Sequence, residues 1–187
     1  MTARSDDRGI TLIEVLVASL LMTVVMSVII GVFISSTQTT RDVTDATSTS
    51  SRAQGAYTSI DTAIGSAQYF RVETRSNGDQ LVAARVAGGS GSTLTWRCQA
   101  WYFSVADKTL RTKTAADATA VALPSAAQLA NWQLLTEGVT RRGATPVFTL
   151  NDTSLAVSFR VTGSTGAATD ISSTTAIPYP TQGATTC

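Results

Sequence analysis

An α+β fold, one long N-terminal helix followed by a mainly antiparallel β-sheet head, is predicted by three observations on this 187-residue sequence. The strongest apolar run lies near the start, from Ile10 to Ile34, and reads ITLIEVLVASLLMTVVMSVIIGVFI. A spacing of three and four between small and apolar residues then continues to Ala67. From Tyr69 onward the pattern becomes strand-like and is punctuated by turn residues.

The Ile10–Ile34 segment would extend roughly 37 Å as a helix, enough to cross a hydrocarbon core of about 30 Å. A secretory signal has a shorter apolar region, about 7–15 residues, followed by a small-x-small site. Ser35, Ser36, Thr37 and Gln38 form no clear site of that kind. A buried helix of a soluble core would need partner helices, and the rest of the chain offers few. The segment therefore reads as membrane-spanning. Glu14 is its one charge, and no further ionisable side chain occurs before Arg41. A carboxylate in a bilayer costs on the order of 2.5–3.5 kcal/mol, so it either finds a partner or sits hydrated at headgroup level. Ser19, Thr23, Ser27 and Gly31 recur every fourth residue. Such a stripe lets membrane helices approach closely and hydrogen-bond through their hydroxyls.

Beyond Ile34 the residues Val43, Ala46, Ser50, Ala53, Tyr57, Ile60, Ile64 and Ala67 mark one helix face. Arg41, Asp42, Asp45, Arg52 and Asp61 lie opposite and read as a solvated face, in preference to a metal site. The helix should continue to about Ala67 with its second half packed on the head. Serine and threonine between Ser35 and Ser51 lower helix propensity, so fraying is expected there.

In the head, strands are expected at Tyr69–Thr74 and Gln80–Val86, joined through Ser76-Asn77-Gly78-Asp79, whose Asn-Gly pair is a hairpin signal. Gly88-Gly89-Ser90-Gly91-Ser92 is a flexible connection; it lacks the lysine and spacing of a phosphate loop. Thr93–Val105 and Thr109–Thr114 should form a second hairpin around Ala106-Asp107-Lys108. A short helix fits Ser125–Trp132. Further strands fit Gln133–Thr140, Val147–Leu150, Leu155–Thr162 and Thr169–Ile177, the last ended by Pro178 and Pro180.

Composition narrows the chemistry. The chain has no histidine, which removes Ser-His-Asp and Cys-His catalysis and histidine-ligated zinc. Its two cysteines are too few for a cysteine-only structural zinc site. No cofactor, metal site or catalytic set is predicted, and an enzyme is not expected. Charged residues are 14% and the net charge is +1, which argues against a polyanion binder. Trp96, Trp101, Tyr102 and Phe103 beside Arg97 could stack on single-stranded nucleic acid. Their alternation points instead into a core between sheet and helix. Arg141-Arg142 is a small basic spot with the same ambiguity, and Asn151-Asp152-Thr153 reads as a turn despite its sequon form.

The run Arg8-Gly9-Ile10-Thr11-Leu12-Ile13-Glu14-Val15-Leu16-Val17-Ala18 strongly resembles the cleavage and methylation motif of type IV prepilins and type II secretion pseudopilins. In that family a polar leader ends in glycine, a membrane peptidase cuts after it, and the new N-terminal residue is commonly methylated. The resemblance makes Gly9 the last leader residue, Ile10 the methylated mature N-terminus, and Glu14 the filament-assembly glutamate. Ile10 stands where phenylalanine or methionine is commoner, and Gly31 where many major pilins carry proline. Cleavage would place an amine on Ile10 inside an apolar helix bundle. Glu14 of the same or a neighbouring subunit is the nearby opposite charge, so the pair would set subunit register. The implied partners are prepilin peptidase, other pilins or pseudopilins through the N-terminal helix, an assembly-platform membrane protein and the cytoplasmic membrane. The implied location is the inner membrane, single-pass with the head outside the cytoplasm, and then a cell-surface filament.

The order of helix and sheet is also the pilin-like architecture, and the head is similar to PilW-type minor pilins and J-type pseudopilins. That similarity rests on Cys98-Gln99-Ala100-Trp101-Tyr102-Phe103, Leu110-Arg111, Trp132 to Val139 and Leu155 to Val161. The expected organisation is a leader at 1–9, a transmembrane half-helix at 10–34, an extracytoplasmic half-helix at 35–68 and a β-rich head at 69–187. The expected role is a minor pilin that joins or primes a filament. The alternatives are a secretion pseudopilin or a membrane-anchored surface binding protein that never polymerises. A head outside the cytoplasm lets disulfides persist, so Cys98 and Cys187 are expected to pair and pin the tail to the sheet. The alternative leaves Cys98 a buried thiol and Cys187 loose.

Overall fold

The computed structural model describes residues 11–88, 95–117, 119–177 and Cys187. The expected leader, Gly9 and Ile10, most of the glycine-rich connection, and Pro178 and Pro180 lie outside the described residues. Helix α1 runs from Leu12 to Gly65. The chain divides into two compact units, Met1–Val43 and Thr44–Cys187.

In the first unit α1 is unbroken, although the sequence reading allowed fraying from Ser35. Its hydroxyls bond back to the preceding turn, Thr37 to the Ile34 carbonyl (2.8 Å), Thr39 to Ser35 (3.0 Å) and Thr40 to Ser36 (2.9 Å). The stripe does the same. Ser19 donates to Leu16, Thr23 to Ser19 and Ser27 to Thr23, at 2.8–2.9 Å. These three hydroxyls are thus satisfied within their own helix. The stripe presents small side chains to a neighbour without needing its hydrogen bonds.

The second unit begins with the Thr44–Gly65 part of α1, which buries Thr49, Ala53, Ala56, Ile60, Ala63 and Ile64. The expected face is correct from Ala53 onward. Val43 and Ala46 are exposed instead, and Thr49 replaces them at the start of the contact. The helix stops two residues before the expected Ala67, which already pairs with Val86 in the first strand.

Five antiparallel strands form one sheet in sequence order: β1 (Ala67–Thr74), β2 (Gln80–Gly88), β3 (Thr95–Ser104), β4 (Thr109–Ala116) and β5 (Gln133–Glu137). The β1–β2 turn is built on Gly78 at φ +90°, with Asp79 N–H donating to Asn77 Oδ1 (3.0 Å). Helix α2 (Ala126–Leu129) lies between β4 and β5 and starts on a Ser125/Gln128 capping box. The second sheet contains β6 (Val139–Arg141), β7 (Phe148–Asn151), β8 (Ser154–Thr162) and β9 (Ala168–Ala176). Strand β9 pairs along the whole of β8, while β6 and β7 share the other edge of β8.

The strand expected at Gln133–Thr140 is therefore two strands in two sheets. Gly138 separates them at φ +73°, a conformation that L side chains rarely adopt. A Cβ there would also collide with the Thr162 carbonyl. A side-chain amide helps tie the sheets together. Gln80 donates to the Phe148 carbonyl (2.9 Å) and accepts from the Phe148 N–H (3.0 Å), so its side chain imitates a strand neighbour.

Two cores result. The larger gathers Ile60 and Ile64 of α1, Val82, Trp101 and Phe103 of the first sheet, and Phe148, Leu155 and Phe159 of the second. The smaller lies on the opposite face of the first sheet, where Leu81, Ala83, Ala100 and Tyr102 meet Val121 and Trp132. Strands β2 and β3 are covered on both faces, which explains their long apolar runs. Of the four aromatics near Arg97, Trp101 and Phe103 enter the larger core and Tyr102 the smaller. Trp96 lies under the Arg85 guanidinium, 4.9 Å from the ring centre.

Candidate functional site: the N-terminal helix

Thr11 opens the helix, its carbonyl accepting from the Glu14 N–H (3.0 Å) and the Val15 N–H (3.3 Å). Glu14 falls in the first turn, where a carboxylate faces the positive end of the helix dipole. Val15, Ala18, Ser19 and Met22 surround it along the helix. From Leu12 to Ile34 the large apolar side chains are exposed on every side of the helix, from Leu12 at 84% to Val17 at 48%. A soluble surface does not leave such a cylinder in water, since each buried leucine or valine gains about 1.5–3 kcal/mol. The helix is long and apolar enough to cross a membrane. Lipid and neighbouring apolar helices are the surroundings this composition suits.

The head grips its own part of α1 through side chains that the sequence reading assigned to solvent. The Asp45 carboxylate accepts four hydrogen bonds from the turn between β8 and β9. They come from the Ser164 N–H (3.2 Å) and hydroxyl (2.8 Å), and from the Thr165 N–H (3.0 Å) and hydroxyl (2.8 Å). The Thr165 N–H and hydroxyl, then the Ser164 hydroxyl, hold its pKa down at about 2. Gly163 permits this grip, because a Cβ there would strike Asp45 and Thr49. More than four turns further along α1, Asp61 accepts from the Tyr57 hydroxyl (2.9 Å) and from the Thr175 hydroxyl. Tyr57 lies 2.7 Å from the Ser173 hydroxyl. Arg52 lies 3.7 Å from Glu137. Only the serine- and threonine-rich composition of Gly163–Gly166 and β9 hinted at these contacts, and no spacing specified them.

Cys98 and Cys187 form a disulfide with their Cα atoms 5.5 Å apart, inside the smaller core. The Cys187 carbonyl accepts from the Val121 N–H (2.6 Å), and Arg71 donates to the Val121 carbonyl (2.9 Å). Beside this staple, Tyr102 donates to the Asp79 carboxylate (2.6 Å). Burial, and then that carboxylate, push the Tyr102 hydroxyl up to about 12. Among the described residues no group of three or more cysteine, aspartate or glutamate side chains could hold a metal ion.

Residues 4–34 match the family model described as the prokaryotic N-terminal methylation motif. That match supports a type IV pilin- or pseudopilin-like role, with processing by prepilin peptidase and partners of the pilin type. Together the motif and the apolar helix fit a membrane-anchored, structural protein. No curated protein and no solved structure matches the chain.

Proposed function

We propose that the chain is a minor pilin, cut after Gly9 by prepilin peptidase and built into or priming a type IV pilus-like filament. The observation that carries this reading is Glu14 in the first turn of a helix with no other charge before Arg41, within the matched motif. The cut gives Ile10 a free amine, which the peptidase's companion activity methylates. The amine and the Glu14 carboxylate then pair as subunits leave the bilayer, because either charge alone is costly in an apolar bundle. The head, 69–187, stays outside the cytoplasm, where its disulfide persists. An assembly-platform protein in the cytoplasmic membrane passes the subunit to a surface filament. The same features support a secretion pseudopilin, and the neighbouring genes separate the two: retraction and DNA-uptake functions against a secretin with exported hydrolases.

The first test is the mature N-terminus. Intact mass and N-terminal peptide analysis of membrane-extracted protein should show a chain beginning at Ile10. A chain that keeps Met1–Gly9 beside an active prepilin peptidase would overturn the reading. The second is Glu14→Ala, which should insert in the membrane normally yet be missing from sheared filaments. Normal incorporation would show that Glu14 is only an interfacial residue.

A further inference from the structure

The part of α1 that belongs to the head has two unlike flanks. One carries Tyr57 and Asp61, bonded to Ser173 and Thr175 of β9. The other carries Gly55, Thr58, Ser59 and Thr62, and beside it opens a groove of about 410 Å³ with Val86, Arg97 and Gln99 on its sheet side. Along β3 the residues Arg97, Gln99, Trp101 and Phe103 share the face turned toward α1. Trp101 and Phe103 are buried in the larger core, the Trp101 indole N–H 3.4 Å from the Ser59 hydroxyl of α1, while Arg97 stays exposed.

Arg97 is one of several arginines outside the ion pairs of the described residues, with Arg41, Arg75, Arg111 and Arg141, of which Arg75, Arg111 and Arg141 donate instead to backbone carbonyls. Arg52, Arg71, Arg85, Arg142 and Arg160 each have a carboxylate partner. Among the described residues Arg97 has none. Asp42, likewise without an ion-pair partner among the described residues, lies on an exposed stretch of α1. Thr39 and Ala46, three residues before it and four after, share its face and are small. A helix carrying that face can approach the Gly55–Thr58–Thr62 flank closely, since neither side has a bulky side chain at the contact. Of the other exposed carboxylates outside the ion pairs of the described residues, Asp107 is held by the Ser104 hydroxyl, Asp152 sits in the β7–β8 turn, and Glu14 lies within the apolar run of α1.

Resting on the pilin reading above, we propose that this groove is the docking site for a second copy of the chain, whose Asp42 carboxylate pairs with Arg97. Each subunit then offers one acidic helix face and one basic groove. The contact is heterologous, so it repeats from one subunit to the next, into a ring or an open row. Being at a rim, the pair is screened by salt and acts mainly on partner choice and register.

The test uses two differently tagged full-length copies, co-expressed with prepilin peptidase and co-purified from membranes. Wild-type copies should co-purify. Arg97→Glu in both copies should lower the co-purified fraction about tenfold, as should Asp42→Arg, by placing like charges together. Mixing an Arg97→Glu copy with an Asp42→Arg copy makes every contact between unlike copies complementary, and the double variant makes every contact complementary. The double variant should therefore return to within about threefold of wild type. Thr62→Trp, which fills the groove at an exposed helix position without changing charge, should also lower association. Intact Cys98–Cys187 disulfides and unchanged protease resistance of the head show that each variant is folded. Association that ignores Arg97→Glu and Thr62→Trp in folded protein, or a double variant no better than the singles, would overturn the groove assignment. Wild-type copies that never co-purify would overturn it too. The N-terminal mass read in the same samples separates this from the pilin reading, which fails only if Met1–Gly9 is retained.

Discussion

A carboxylate at Asp45 with four hydrogen-bond donors is a residue-scale device with a direct pH signature. Its folded pKa, about 2, lies below the ordinary 3.8 because the Thr165 and Ser164 donors bind the ionised form. A depressed carboxylate contributes stability that is complete above its unfolded pKa and is lost as pH falls through the folded one. The grip should therefore hold at pH 5 and release between about pH 4 and pH 2. Hydrogen exchange at the Ser164 and Thr165 amides reads this locally. Wild-type protein should lose protection there over that window, while Asp45→Ala should lack it at every pH. Equal protection in the two proteins at pH 5 would show that the four contacts contribute nothing.

At the scale of elements, the junction between the two sheets depends on Gln80 and Gly138. Gln80→Leu fits the same space but leaves the N–H and carbonyl of Phe148 buried without their partner. Each orphaned group costs about 1–3 kcal/mol, so the variant should unfold at clearly lower urea than wild type. A midpoint within error of wild type would mean that water replaces the amide. These two residues also show where sequence reasoning ended. Period-two alternation placed nearly every strand within two residues, because alternation follows directly from a buried and an exposed face. It carried through Gly138 without a break, since Leu135, Thr136 and Val139 alternate acceptably on either reading. What splits that run is the positive φ of Gly138, packed so closely on Thr162, a residue 24 positions away, that only glycine fits. The charged face of α1 failed for a related reason. Asp45 and Asp61 look like solvated helix residues until β8 and β9 fold beside them, and hydroxyl partners leave no periodic mark. The methylation motif was legible because its signal is local, a lone carboxylate in an apolar run.

For the whole molecule, the division of labour is between a unit that lipid or neighbouring helices must cover and a unit that is stable by its own two cores. Reduction tests the second half of that statement. The Cys98–Cys187 bridge spans 89 residues of sequence. Closing such a loop contributes about 4–5 kcal/mol in the chain-entropy model. Reduced protein, or Cys187→Ser, should melt well below the oxidised form and lose protection first around Val121, whose N–H donates to the Cys187 carbonyl. A melting temperature insensitive to reductant would show that the hydrogen bonds alone secure that end of the chain.

The same bridge decides how the head meets a mechanical load. Tension applied at Thr44 runs along the gripped part of α1 to Gly65 and then, once that part is pulled free, through β1 and β2 into β3. At Cys98 it reaches a covalent shortcut to Cys187, so everything from β4 to β9 lies off the line of force. Pulled between Thr44 and residue 187, the oxidised head can release only the segment up to Cys98. Reduction should add roughly 300 Å of contour length, at about 3.3–3.6 Å for each residue set free. A single-molecule extension trace with and without reductant would show that step directly.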